Sequence, residues 1–212
     1  MIYQSYVSYY TLPGFPGDPH NNDRHASIYR SSVNTVADSI PGVGQTKIGL
    51  YDHTRLLLAA PTAANVVAAG NYVGVVARTH TARTNYSNRT AIGSVGSAGS
   101  NNVIPAGEHV RFQTNGTVYV YVEKAINPNL PVFMRVGNAV GALQGIGFFT
   151  DTAAGADTVL LPNARWYGTD AATYIASKDA GYTAAFARQN IGMTQGFSWA
   201  PVQFRFGAAE VA

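Results

Sequence analysis

Residues 104–136, IPAGEHVRFQTNGTVYVYVEKAINPNLPVFMRV, alternate apolar and polar side chains on both sides of an Asn-Gly pair. Val110 and Phe112 alternate with Arg111 and Gln113, and Val118, Val120 and Val122 alternate with Thr117, Tyr119, Tyr121 and Glu123. A period of two is the signature of a half-buried strand, and Asn-Gly between two such runs predicts a β-hairpin. A two-residue loop would place Phe112 opposite Tyr119 and mix both faces. A three-residue loop, Thr114-Asn115-Gly116, places Phe112 opposite Val118 and Val110 opposite Val120, with Gly116 taking the left-handed position. Register follows the buried face, so the three-residue loop is predicted. Val132, Met134 and Val136 then predict a third strand, completing an antiparallel meander whose outer face carries Arg111, Gln113, Tyr119 and Tyr121.

The same pattern recurs in shorter pieces. Strands are predicted at 27–29, 46–51, 55–59, 72–79, 145–150 and 158–161, with a closing strand through Val202, Phe204 and Phe206. The last two of the inner set would flank a turn, DTAAGAD, and Trp166 and Phe148 are expected in the core. Residues 63–69 fit either a short helix or a strand. With no repeat period and hardly any amphipathic helix, the chain reads as all-β, an antiparallel β-sandwich or jelly-roll-like domain with long loops. Residues 13–212 form one domain, preceded by an extended arm at 1–12 that carries Tyr3, Tyr6, Tyr9 and Tyr10. A long Gly-, Ser- and Asn-rich loop occupies 80–103. Arg78, Arg83 and Arg89 stand at its start, placed to grip a partner's carboxylate or a phosphate.

Composition narrows the function. Only 12% of residues are charged, about half of the ~25% usual in soluble domains. Spread over roughly 9,500 Å² of expected surface, that is about one charge per 380 Å², where about one per 180 Å² is usual. Such an exterior suits burial against other chains, since few ions must lose water. The basic set is eleven Arg and three Lys, and there are thirteen Tyr, both preferences of interfaces. A net charge of +3 is too weak to indicate nucleic acid. Absence of cysteine excludes disulfides and thiolate metal sites. The first residues read as no secretory signal, which makes the sequons at Asn85 and Asn88 chance matches, and no apolar run is long enough for a membrane helix.

Catalytic signatures are missing. GSVGSAG at 93–99 is not a nucleophile elbow, no phosphate-binding loop occurs, and Gly145-Ile146-Gly147 is not a dinucleotide fingerprint. Asp18, His20, Asp23 and His25 lack metal-site spacing and read as a hydrogen-bonded turn. Neither an enzyme, a cofactor nor a metal is expected.

Several segments in order resemble the capsid cement (decoration) proteins of tailed bacteriophages. They are GFPGDPHNNDRHASIYR, NYVGVVART, the 104–136 stretch, IGFFTDTAAGADTVLLPNARW and VQFRF. The first twelve residues, the 80–103 loop and 168–200 look like additions to that pattern. The resemblance implies a sandwich or jelly-roll protein on the outer surface of the virion, made in the host cytoplasm. It would bind the major capsid protein at junctions between subunits, often as a homotrimer. Rival readings are a carbohydrate-binding or adhesin-like β module, or a tail or neck component.

Overall fold

The computed structural model describes residues 16–19, 28–34, 39–77, 104, 106–107, 109–124, 126–138, 145–167 and 198–205, with the backbone alone for 28–34 and 198. Ten strands and one short α-helix run through them, besides a 3-10 turn at Gly155–Asp157. They are β1 (Ile28–Asn34), β2 (Gly44–Leu50), β3 (Leu56–Ala59), α1 (Ala63–Val66), β4 (Tyr72–Ala77), β5 (His109–Val122), β6 (Phe133–Arg135), β7 (Phe149–Thr150), β8 (Thr158–Leu160), β9 (Ala164–Trp166) and β10 (Ser198–Phe204). The all-β expectation holds. The sheet is mixed, however: β1 with β3 and β5 with β7 are parallel, and the other ladders are antiparallel.

The predicted hairpin does not form. Residues 109–122 are one continuous strand of 14 residues, and no residue before Gly116 pairs with one after it. Phe112 lies between Arg30 of β1 and Val76 of β4, while Val118 lies opposite Val202 of β10. Gly116 does have φ +88, the left-handed conformation expected of it. Here that conformation turns a corner within a strand instead of closing a loop, the use of glycine found where strands pass from one sheet to another. The Gln113 amide braces the corner, its Nε2 donating to the carbonyls of Asn115 at 3.1 Å and Thr117 at 3.4 Å.

Before the corner, five ladders close a ring: β1 with β3, β3 with β2, β2 with β4, β4 with β5, and β5 with β1. This is a five-stranded barrel. Its interior holds Leu56 and Leu58 of β3, Val76 of β4, Val110 and Phe112 of β5, and Ile104. A ring of five strands is narrow, since about eight are needed for an interior that layers of side chains fill comfortably. Gly74 answers that constraint. A Cβ there would stand 2.6 Å from the Phe112 ring, so Phe112 occupies the room that a side chain would take.

After the corner, β5 enters an open sheet ordered β9-β10-β5-β7-β6-β8. The larger core joins Val73 and Val75 on the outside of the barrel to Val118, Val120, Val122, Val132, Met134, Val136, Phe149, Trp166, Val202 and Phe204 of the sheet. The even-numbered apolar residues of β5 thus face the barrel interior up to Phe112 and the second core from Val118 onward. Trp166 and Phe148 are buried, as expected. The meander is corrected as well: β6 carries the predicted alternation but pairs with β7 and β8, not β5, and it lies between those two strands. The Tyr119 and Tyr121 face, expected in solvent, is buried. Tyr121 stacks on Phe148 with ring centroids 5.2 Å apart. The free edge of β5 is taken by Gly17 and Asp18, which exchange backbone hydrogen bonds with Tyr119, and by the Gly42 carbonyl, which accepts from Tyr121.

Residues 63–69, left open between helix and strand, contain α1. Thr62 caps it reciprocally: its hydroxyl accepts from the Asn65 N–H, and the Asn65 side chain accepts from the Thr62 N–H at 2.7 Å.

Candidate contact surfaces

The residues nominated from sequence for partner contact, Tyr3, Tyr6, Tyr9, Tyr10, Arg78, Arg83 and Arg89, lie outside the described residues. The structure draws attention elsewhere, to one mouth of the barrel. Register places Leu50 opposite Leu56, at the end of the barrel where β2 turns into β3. Ile48 is an extra residue in β2, since Lys47 pairs with Leu58 and Gly49 with Leu57. Bulges of this kind are frequent at barrel rims, where they re-aim side chains. Beyond it Ile48, Leu50 and Tyr51 stand 37%, 63% and 54% exposed.

The turn that presents them is tightly tied. One Asp52 carboxylate oxygen accepts from the backbone N–H of Thr54 and of Arg55, both at 2.8 Å, and from the Thr54 hydroxyl at 2.9 Å. The other accepts from Arg55 Nε at 2.5 Å and pairs with the rest of the guanidinium. Arg55 lies 4.8 Å over the Tyr51 ring and contacts His109 Nε2 at 3.1 Å through Nη1. The Arg55 guanidinium, with help from the turn's N–H and hydroxyl donors, holds the Asp52 carboxyl well below the usual carboxylate range, and Asp52 in turn raises Arg55. Asp52 and Arg55 offset one another, and the Lys47 ammonium before Ile48 is turned to the Gly70 carbonyl at 2.7 Å, so the mouth presents mainly apolar and aromatic surface.

Two other features stand apart from the mouth. An apolar groove of about 80 Å³ lies between the two edges of the open sheet, bounded by Val66, Val67, Tyr72, Leu160, Pro162 and Phe204. The second is a buried ion pair that ties β6 to the end of β5. Arg135 engages Glu123 through two nitrogens, one to Oε2 at 3.0 Å, and its Nη1 donates to the Asn138 carbonyl at 3.3 Å. Glu123 raises the Arg135 guanidinium further above its ordinary value, against the opposing effect of burial. This pair is spent on internal partners and offers nothing to a ligand. Among the described residues, no three His, Asp or Glu side chains gather as a metal-binding set, and no helix is long and apolar enough to cross a membrane.

Sequence reading missed the barrel mouth because Ile48 and Leu50 alternate with Lys47 and Gly49, which reads as a buried face. The inserted residue reverses that conclusion, and the only local signal for it was Gly49.

The described residues form an all-β scaffold with an apolar rim held in place by a tied turn. Residues 3–185 match the family described as phage structural cement protein (E217 gp24/Pam3 gp6), and the chain belongs to that family. Membership gives it a structural, capsid-stabilising role in the virion. A search of curated proteins found no match.

Proposed function

We propose that the protein coats the outside of a phage head, seated over junctions between major capsid protein subunits as a homotrimer, after synthesis in the host cytoplasm. It acts passively and is not an enzyme. A ligand that binds the assembled shell and not its free subunits shifts the balance toward assembly, and many copies turn modest contacts into large avidity. The observation that carries this reading is the family match across 3–185; the sparse charge of the chain supports it. Tyr3, Tyr6, Tyr9 and Tyr10 serve as an arm over a neighbour, and Arg78, Arg83 and Arg89 as loop contacts. Particle imaging with copy counting tests the proposal: hundreds of copies per head fit a shell component, and a dozen or fewer point to a tail or neck part. Deletion of residues 2–12 is expected to lower head occupancy while leaving the fold intact, and unchanged occupancy removes the arm from the account.

A further inference from the structure

We propose that the barrel mouth formed by Ile48, Leu50 and Tyr51 docks on an apolar, uncharged patch of the major capsid protein; this rests on the cement reading above. Three of the six large hydrophobic side chains exposed on the described surface are these three, adjacent in one strand and its turn. Exposed apolar residues scattered singly need no explanation, whereas a contiguous cluster marks a contact. The cluster is held ready. Asp52 fixes the turn by side-chain hydrogen bonds to Thr54 and Arg55, and Arg55 covers one face of Tyr51. A surface ordered before binding loses less entropy on contact, and Tyr, Arg and large apolar groups are the usual anchors of interfaces.

Charge and area select the occupant. Asp52 neutralises Arg55, and the Lys47 ammonium before Ile48 donates to the Gly70 carbonyl and lies over the Tyr72 ring, so the cations beside the cluster already have partners. That favours an uncharged apolar partner over a nucleic acid or an acidic surface. The three side chains together offer on the order of 300 Å². A free dimer needs about 800 Å² from each partner, so the mouth is too small to hold two copies together alone. It suits a shell, where each protein also makes other contacts and every copy repeats them.

The test adds purified full-length protein to heads lacking it and measures copies bound per head against concentration. Leu50→Asp and Tyr51→Ala are compared with wild type and with Leu130→Asp, a substitution at an exposed apolar position outside the cluster. Circular dichroism and thermal melting check the fold, and Leu50→Gln serves if the aspartate variant misfolds. We expect Leu50→Asp to weaken binding about tenfold or more, Tyr51→Ala to weaken it similarly, and Leu130→Asp to bind as wild type does. Wild-type binding by folded Leu50→Asp or Leu50→Gln overturns the assignment while leaving the cement reading intact. Dissociation of a free oligomer by Leu50→Asp in sedimentation also overturns it, because the mouth then joins copies of this chain. Wild-type protein that ignores heads sinks the cement reading and the assignment with it.

Discussion

Each strand of the barrel has two hydrogen-bonded neighbours, whereas the open sheet stops at β8 and β9. The two regions share β5 and are built from the same kind of short strand. They differ in how they deal with unpaired backbone. Closure removes edges altogether, at the cost of a cramped interior where Gly74 must yield to Phe112. The open sheet keeps its edges and gains a broad face, which it buries against the outside of the barrel. It also carries the buried Glu123–Arg135 pair, while the polar side chain closed inside the barrel is the neutral Gln45, bonded to Ser39 at 2.8 Å. A small closed ring can thus supply a wall for a larger core that neither region could complete alone.

The sharpest way to break this comparison is to empty each core in turn. Phe112→Ala in the barrel and Phe149→Ala in the sheet should each cost about 4 kcal/mol, measured as urea midpoints. If the regions form one cooperative unit, either change lowers a single transition seen alike by fluorescence and circular dichroism. Two separate transitions would show that β5 does not couple them. Glu123→Ala should cost about 3 kcal/mol, because it leaves a guanidinium buried without its partner; the side chains retain only 6% and 5% exposure. Replacing both, as Glu123→Leu with Arg135→Met, should recover most of that loss, and failure to recover would mean the pair does more than satisfy itself. Gly116→Val should cost about 2 kcal/mol, since a β-branched residue resists positive φ; undiminished stability in a thermal melt would mean the corner is not strained. The smallest effect concerns pH. Burial pushes the Asp151 carboxyl up, but Lys124, the Asn127 N–H and the Thr152 hydroxyl outweigh it, so the net shift is downward. A depressed carboxylate contributes stability that is present above its unfolded value and lost as pH falls through the folded one, here below about pH 4. Asp151→Asn should therefore flatten the acid limb of the stability curve, and an unchanged limb would assign it to other groups.

Much of this was readable in the chain. The alternation in 46–51, 55–59, 72–79 and 132–136 located β2, β3, β4 and β6 to within a few residues. The glycine conformation at position 116 was also foreseen. Its meaning was not, because period-two alternation records only that a face is buried and not which body buries it. Phe112 and Val118 looked like partners across a turn; they fill different cores. Tyr119 and Tyr121 looked solvated because nothing local reveals that residues 16–19 return to cover their strand. β9 went unassigned, since three residues after Pro162-Asn163 are too few to show a period. The barrel mouth stayed hidden for the opposite reason: one inserted residue, Ile48, made an outward face look inward.

The continuity of β5 has a mechanical consequence. Its 14 residues form one unbroken covalent tether between the two bodies. In antiparallel ladders the hydrogen bonds lie across the strand, so a pull along its axis loads those flanking bonds in shear, many at once. A protein stretched over a swelling shell would resist as a rivet does, not peel like tape.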